Sequence, residues 1–238
     1  MPRKPRMYLP GIPCHIIQRG NNREACFYAE QDYQFYLECL ADACRRYGVA
    51  VHAYVLMTNH VHLLMTPDTH EGISQVMQSL GRRYVQYINY EYRRSGTMWE
   101  GRHKASLVEA ESYLFVCYRY IELNPVQAGM VSHPAEYPWS SYAVNGQGKA
   151  SNLVKPHPLY LALGGDAAIR QHAYRYLFET HLDTKEIHTI QKSAQFSMPL
   201  GTDRFKEQIE IALRRTIGHA KRGRPSVREE DAVYLNCE

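Results

Sequence analysis

Two histidines separated by a single residue, His60 and His62, are the first candidates for chemistry in this sequence. They lie in an apolar segment typical of a strand, where residues i and i+2 point to the same face, so both imidazoles can reach one metal ion. The alternative is a pair of half-buried histidines beside a turn. The chain contains 12 histidines, so the pair alone does not separate the two interpretations.

A second pair, Tyr120 and Asn124, lies one helical turn apart, so both side chains project from one face of a predicted helix. A phenol with a pKa of about 10 is a poor nucleophile at neutral pH. Beside a divalent ion that polarises a phosphodiester, it can attack phosphorus and form a covalent phosphotyrosine. The alternatives are core packing for Tyr120, in a chain with 19 tyrosines, and helix termination for Asn124.

The amide oxygen of Asn124 and two imidazoles would form a ligand set for a divalent cation. This set suits Mg²⁺ or Mn²⁺ loosely, and the imidazoles favour Mn²⁺. It also leaves positions open for phosphate oxygens and water.

The elements that must position these residues follow from apolar periodicity. Strands are predicted over 14–20, 49–57, 60–65 and 103–109, and helices over 30–47, 72–94 and 111–123. Only Thr58 and Asn59 separate the two middle strands, which indicates a tight antiparallel hairpin. The order β-α-β-β-α-β-α predicts an α+β fold, a ferredoxin-like four-stranded antiparallel sheet with helices on one face.

Beyond residue 150 the sequence predicts a C-terminal helical extension. Shorter helices are expected over 157–183 and 203–217, with a loop between them where Ser, Met and Pro occur. We therefore expect three parts: an α+β domain over 1–150, a helical extension over 151–217 and a basic, flexible tail over 218–238.

Composition excludes several classes of protein. The chain has 238 residues, of which 45% are hydrophobic and 22% charged, as in a soluble globular protein. No run approaches the roughly 18 consecutive apolar residues of a membrane helix, so no membrane partner is expected. The basic start is interrupted by prolines and lacks the apolar segment of a secretion signal. Six cysteines without a C-x-x-C pair indicate a reducing cytoplasm rather than a disulfide framework.

The net charge of +4 conceals three basic clusters. Residues 1–23 carry five basic side chains and no acidic one, residues 82–104 carry six against two, and residues 214–228 carry six against none. Such clustering is the electrostatic footprint of a phosphate-rich partner, although any single cluster could equally be solvated surface. Three clusters in one chain favour nucleic acid.

Polar and basic side chains in and near these clusters are the candidates for DNA contacts, which would position a substrate through its phosphates. The candidates are Arg19, Asn21, Asn22, Arg23, Arg82, Arg83, Arg102, Lys104, Arg119, Lys221, Arg222 and Arg224. The last three belong to a Lys-Arg-Gly-Arg-Pro run that resembles an AT-hook core. An unstructured basic tail is the alternative for that run.

Three segments, in this order and spacing, resemble the REP-associated tyrosine transposases, which belong to the single-tyrosine HUH transposases of insertion sequences (U is a hydrophobic residue). They are MTNHVHLLM (57–65), GTMWEGRHKASLVE (96–109) and YRYIELNPVQAGMV (118–131). The segment HIIQRGNNREACFY (15–28) also matches, so the resemblance covers roughly residues 10–145.

The resemblance implies roles for the residues singled out above. The two HUH histidines of the family bind the catalytic divalent ion, and they correspond to His60 and His62 here. The family's nucleophile precedes an Asn-Pro dipeptide, which matches Tyr120, and Asn124 matches the third ligand. The implied reaction cleaves single-stranded DNA beside a hairpin with a short guide sequence, leaving a 5′-phosphotyrosine and a free 3′-hydroxyl. Attack by another 3′-hydroxyl rejoins the strands.

The same resemblance implies Mg²⁺ or Mn²⁺ as the cofactor, single-stranded or hairpin DNA as the partner, and a nucleoid-associated protein of the cytoplasm. It favours a monomer over a dimer. Two other classes stay open: a hairpin-DNA-binding relative that does not cut, and a metal-dependent nuclease that uses water. The latter predicts that Tyr120→Phe keeps most activity.

Overall fold

The computed structural model of the chain describes residues 6–217. Its strands are β1 (Cys14–Arg19), β2 (Val49–Met57), β3 (His60–Pro67) and β4 (Lys104–Leu107). Its helices are α1 (Glu30–Tyr47), α2 (Gly72–Glu91), α3 (Ala110–Glu122), α4 (Asn124–Gln127), α5 (Tyr142–Asn145), α6 (Pro158–Leu161), α7 (Ala167–Tyr176), α8 (Thr184–Phe196) and α9 (Asp203–Leu213). Short 3-10 turns lie at Asn21–Arg23 and Pro134–Glu136.

The four strands form one antiparallel sheet in the order β2-β3-β1-β4, which confirms the predicted α+β class and its four-stranded antiparallel sheet. The predicted placement of helices on one face is wrong, because helices pack against both faces. β1 lies between β3 and β4, and Ile17 on β1 is paired with His62 on one side and Lys104 on the other. Because successive side chains of a strand point to opposite faces, the residues that share a face with Ile17 are fixed by this register. They include His15, Arg19 and His60.

Helices α1 and α2 cover the other face of the sheet. Ile16 of β1 and Leu63 of β3 are fully buried there, together with Leu40 of α1 and Leu80 of α2. Gly48 ends α1 at the predicted position with φ 62°, the left-handed conformation that glycine adopts without steric cost. The apolar stripes of these two helices therefore build the larger part of the core.

Helix α3 crosses the face that carries the two histidines. Its residues Leu114 and Ile121 are fully buried against Val55 and Leu64 of the sheet. The buried side chain of Glu122, at the C-terminal end of α3, accepts hydrogen bonds from three side chains that follow it in the sequence. The donors are Ser141 at 2.5 Å, Asn145 at 2.9 Å and Tyr174 at 2.7 Å.

The C-terminal region differs from the sequence prediction in one important respect. Helix α8 occupies most of the stretch between 184 and 202 for which the sequence predicts a loop, so that prediction is wrong. The predicted helix over 157–183 is two shorter ones, α6 and α7. After α8, the Leu200 amide donates to the Leu107 carbonyl at 2.7 Å, which attaches this segment beside the edge strand β4.

Some predicted ends also shift. The helix predicted over 72–94 ends at Glu91, and the strand predicted over 103–109 is limited to Lys104–Leu107. The cysteines of the described range (Cys14, Cys26, Cys39, Cys44 and Cys117) are buried and unpaired. Within residues 6–217 no helix combines the length and apolar character needed to cross a membrane.

Candidate active site

The two histidines of the H-x-H pair lie side by side on the sheet face that α3 crosses. The ring centroids of His60 and His62 are 5.0 Å apart with an interplanar angle of 76°. Both side chains line a cavity of about 930 Å³, as do Ile17 of β1 and Met57 of β2. The alternation of the β3 strand therefore delivers both imidazoles to one cavity.

A hydrogen bond from outside the cavity fixes the orientation of His60. The Asn59 amide donates to the Arg23 carbonyl at 3.1 Å, so its oxygen is left to face the Nδ1 of His60, 2.7 Å away. That oxygen can only accept, so Nδ1 of His60 carries the proton. The Nε2 of His60 then holds a lone pair, which is the form of imidazole that binds a metal.

The second histidine is held by another imidazole, which sequence reasoning did not single out. The Nδ1 of His62 lies 2.9 Å from the Nε2 of His15 on β1. His15 is only 1% exposed, and its Nδ1 has no hydrogen-bond partner. This interaction depends on the pairing of β1 with β3, which no local sequence pattern reveals.

Burial disfavours the charged form of all three imidazoles. Burial lowers the pKa of His15 to about 4 and that of His60 to about 4, and neighbouring Arg19 adds to the effect on His60. Burial also lowers the pKa of His62 well below its ordinary value, with further contributions from His15, His60 and Arg19. Metal binding requires neutral imidazole, so these histidines need release no proton to accept a cation.

Tyr120 of α3 lies directly against this histidine cluster. Its ring centroid is 5.6 Å from that of His62 and 5.9 Å from that of His15, both in edge-to-face geometry. Burial raises the pKa of Tyr120, whereas a hydrogen bond with the Gln191 side chain and the charge of Arg19 act in the opposite direction. Core packing alone does not describe this residue, because its side chain also lines the cavity.

Asn124 is the first residue of α4 and lies one turn beyond Tyr120. Its side-chain nitrogen donates to the Tyr120 carbonyl at 2.7 Å, which leaves its oxygen available to another partner. That amide also interacts with His60 and raises the pKa of the imidazole. Asn124 therefore lies at a helix end and also lines the cavity.

The residues present fit a divalent cation of modest affinity. Across the described part of the chain, no group of three or more His, Cys, Asp or Glu side chains could hold a metal ion. A cation in this cavity would depend on two neutral imidazoles and the amide oxygen of Asn124. This mixed set of nitrogen and oxygen donors is compatible with Mg²⁺ or Mn²⁺ and leaves positions for phosphate oxygens and water.

Basic side chains surround the same cavity. The predicted DNA contacts Arg19, Arg102 and Lys104 all line it, and Arg6, which sequence reasoning did not select, joins them. The Arg6 guanidinium donates to the His103 carbonyl at 2.8 Å. The cavity mouth therefore carries a concentration of positive charge on the side of β1 and β4.

The other predicted DNA contacts lie elsewhere. Asn21, Asn22 and Arg23 form the 3-10 turn at the histidine end of the sheet, where the Arg23 carbonyl binds Asn59. Arg82, Arg83 and Arg119 do not line the cavity. Arg82 and Arg83 lie on α2, which packs on the opposite face, and Arg83 pairs with Asp42 of α1 at 3.4 Å.

The last candidates lie on α3 and in the tail. Arg119 binds the hydroxyl of Thr180 at 3.1 Å, which attaches α3 to the segment before α8. Lys221, Arg222 and Arg224 lie outside the described residues.

Helix α8 contributes a wall that sequence reasoning missed. Its residues Gln191, Ala194 and Gln195 line the cavity opposite the sheet, followed by Ser197. A detectable signal existed in the sequence: Asp183 and Glu186 form a capping box, the usual start of a helix. The C-terminal region thus reaches the histidine cluster rather than lying apart from it.

Comparisons with known proteins agree with this architecture. Residues 9–124 match the family described as IS200-like transposase. A solved structure of a REP-associated tyrosine transposase bound to a REP hairpin is similar, with a TM-score of 0.54 and 17% identity, over 66% of this chain and 93% of that one. At this identity the likeness shows the fold.

A second solved structure, described as a candidate transposase from Deinococcus radiodurans R1, has a TM-score of 0.36 and 19% identity, over 48% of this chain and 92% of that one. No curated protein matches the chain.

Proposed function

We propose that this chain, whose residues 9–124 match the family model for IS200-like transposases, cleaves and rejoins single-stranded DNA through a covalent link to Tyr120. The observation that carries this proposal is the packing of the Tyr120 ring against His62, at the wall of a cavity lined by basic side chains. Hairpin DNA is the proposed substrate, by analogy with the similar structure that is bound to a REP hairpin.

His60, His62 and Asn124 are the residues that would hold Mg²⁺ or Mn²⁺. Such a cation, when bound, polarises the phosphodiester and offsets part of its negative charge. The chain's own contribution is to keep both imidazoles neutral by burial and to orient them from Asn59 and His15.

Tyr120 would act as the nucleophile. Its oxygen attacks phosphorus while the bond from phosphorus to the 3′-oxygen of the preceding nucleotide breaks. The phenol loses its proton, the leaving 3′-oxygen gains one, and the downstream strand stays attached as a 5′-phosphotyrosine. Attack by a 3′-hydroxyl on the same phosphorus reverses these steps and rejoins the DNA without an external energy source.

The basic side chains around the cavity would hold the DNA backbone. Arg19, Arg102 and Lys104 neutralise phosphates and fix the position of the strand without reading its sequence. Specific recognition of a hairpin would need further contacts. We propose that the turn at Asn21–Arg23 makes some of them. The tail residues Lys221, Arg222 and Arg224 are retained as proposed backbone contacts.

One chain supplies every residue of the proposed site, since Tyr120 lies against the histidines of its own sheet. We therefore propose that the protein acts as a monomer. We also propose that it acts on DNA in the cytoplasm, associated with the nucleoid. Within the proposed division at residue 150, the first part carries the reacting groups, and the extension supplies the α8 wall.

The test is formation of an SDS-stable protein–DNA adduct. Wild-type protein is incubated with Mn²⁺ or Mg²⁺ and a library of single-stranded hairpins with randomised stems and flanks, labelled at the 3′ end because that end stays with the protein. Tyr120→Phe should abolish the labelled band. Tyr118→Phe is the matched control, because this buried tyrosine lies on the same helix but does not line the cavity.

The rival functions give different results in this assay. Cleavage without an adduct, retained by Tyr120→Phe, would indicate a nuclease that uses water. Hairpin binding without cleavage would indicate a relative that no longer cuts. An adduct that survives Tyr120→Phe would refute Tyr120 as the nucleophile.

A further inference from the structure

We propose that His15 is a positioning residue that holds His62 in the one tautomer able to bind a cation through Nε2. This inference rests on the proposed cation site and extends it to a residue outside the H-x-H motif. His15 lies on β1, diagonal to His62 in the sheet register, and is 1% exposed. It therefore cannot contact DNA itself, and any effect it has must pass through its neighbours.

The geometry of the two rings is that of a directed hydrogen bond. The Nε2 of His15 lies 2.9 Å from the Nδ1 of His62, and the ring planes are within 17° of parallel. The ring centroids are 5.1 Å apart, which exceeds the distance of 2.9 Å between the nitrogens by close to the sum of the two ring radii. The imidazoles consequently meet edge to edge, with the donor and acceptor nitrogens facing each other.

This hydrogen bond allows two placements of its proton, with opposite consequences. If His15 donates, Nδ1 of His62 is the acceptor and Nε2 of His62 must carry the proton of the neutral ring, so no lone pair is available to a cation. If His62 donates from Nδ1, its Nε2 keeps the lone pair. Only the second placement is compatible with the proposed site.

His60 has a similar arrangement, and there the direction of the hydrogen bond is known. The Asn59 oxygen accepts from Nδ1 of His60, so the Nε2 of His60 is already in the binding form. His15 would do for His62 what Asn59 does for His60. Orientation of a metal-binding imidazole by an acceptor on its other nitrogen is a general feature of protein metal sites.

The Nδ1 of His15 has no partner in either placement of the proton, so this buried ring always leaves one nitrogen unsatisfied. When Nε2 of His15 accepts, its Nδ1 must carry the proton, and that N–H is buried without an acceptor. The protein therefore keeps an unsatisfied donor at a fully buried position. A leucine or phenylalanine would avoid this penalty, so the imidazole must contribute something that packing does not require.

The first test observes the tautomer in the metal-free protein. Long-range ¹H–¹⁵N NMR at pH 7.5 distinguishes protonated from unprotonated imidazole nitrogens, and comparison with His62→Ala assigns the His62 signals. We expect His62 to have a protonated Nδ1 and an unprotonated Nε2, and His15 to have an unprotonated Nε2. A protonated Nε2 on His62 would overturn the proposal, whether or not any variant folds.

The second test measures binding of Mn²⁺ alone by calorimetry. His15→Phe keeps a ring but removes the acceptor, and we expect it to weaken binding by about 10- to 100-fold, as is usual for such partners. His15→Gln can present an oxygen near the same place and should restore affinity to within about 3-fold of wild type. His52→Gln is the control, since this buried histidine binds Lys155 and Thr66 away from the cavity.

The two possible failures are distinguishable. If His60→Ala and His62→Ala bind Mn²⁺ as tightly as wild type, the cation site of the proposed function is wrong. If both of those variants lose binding while His15→Phe keeps it, the cation site stands and the role of His15 is refuted.

Discussion

Tyr120 presents its ring edge-on to His62, with the two ring centroids 5.6 Å apart and the planes at 80°. The contact joins α3 to β3 across the sheet face that α1 and α2 leave open. It brings a candidate nucleophile and a candidate metal ligand to the same cavity wall within one chain. Changes to the groups that support these two residues should therefore alter cation binding, DNA binding or the reaction itself.

Loss of the Asn59 oxygen, which accepts a hydrogen bond from His60, should weaken cation binding. Asn59→Ala removes the oxygen that fixes the His60 tautomer, and we expect Mn²⁺ affinity to fall by about 10- to 100-fold. Asn59→Asp keeps an acceptor at that position and should bind Mn²⁺ much more tightly than Asn59→Ala. Calorimetry with Mn²⁺ measures both, and equal affinities for the two variants would show that the hydrogen bond does not matter.

The basic side chains at the cavity should control DNA affinity through charge. Arg102→Ala and Lys104→Ala each remove an exposed cation at the cavity, so we expect weaker binding of all hairpin sequences alike. The slope of log K against log salt should decrease by about 0.7 for each phosphate that the variant no longer neutralises. Fluorescence anisotropy across a salt series measures both quantities.

Arg82→Ala is the matched control for this series, because Arg82 is exposed on α2 across the sheet from the cavity. It should change neither the affinity nor the slope appreciably. An effect of Arg82→Ala equal to that of Lys104→Ala would mean that DNA also runs over the α1 and α2 face.

The hydrogen bond between Gln191 of α8 and Tyr120, the proposed nucleophile, should appear in the pH profile of adduct formation. Burial already raises the pKa of Tyr120, and the Gln191 side chain opposes that effect. Gln191→Ala should raise this pKa further, so the phenolate fraction at a given pH falls and the profile moves to higher pH. Single-turnover rates between pH 6 and 10 test this, with Gln195→Ala as the neighbouring control; an unmoved profile in Gln191→Ala would contradict it.

The buried carboxyl group at the end of α3 should make stability depend on pH. Burial raises the pKa of Glu122 to about 7, although hydrogen bonds from Ser141, Tyr174 and Asn145 oppose the shift. The folded protein thus keeps this proton to a higher pH than the unfolded chain, so the contribution to stability is present at low pH and is lost as the pH rises towards about 7.

Urea unfolding of wild type and Glu122→Gln measures this effect. Relative to the variant, wild type should lose about 3 kcal/mol of unfolding free energy between pH 4.5 and pH 8. Glu207→Gln, on the exposed surface of α9, should follow wild type. Parallel curves for wild type and Glu122→Gln would rule out a raised pKa at this carboxyl group.

The sheet and its helices were predictable because each element carries its own local pattern. The H-x-H pair sits on a strand whose alternation is visible in the sequence, and the Asn-Pro dipeptide marks the end of the helix that carries Tyr120. The partner of His62 was not predictable. His15 reaches it only through the pairing of β1 with β3, which is a property of the sheet register and not of either segment alone.

The wall formed by α8 was missed for a different reason. Residues 184–196 are polar overall, and the nearby Ser, Met and Pro suggested a loop, yet Ile187, Ile190 and Ala194 recur at helical spacing. The same sequence could have been recognised from its capping box. What no local pattern could supply is the place where this helix packs, because its contacts with β1 and β4 are made only in the folded chain.

The most direct test of the account is to find the atom that holds the DNA. A trapped adduct is digested with nuclease and protease, and the modified peptide is sequenced by mass spectrometry. We predict a single modified peptide in which Tyr120 carries a 5′-phosphorylated nucleotide remnant. A remnant on any other residue, with Tyr120 unmodified in the same digest, would contradict the central claim.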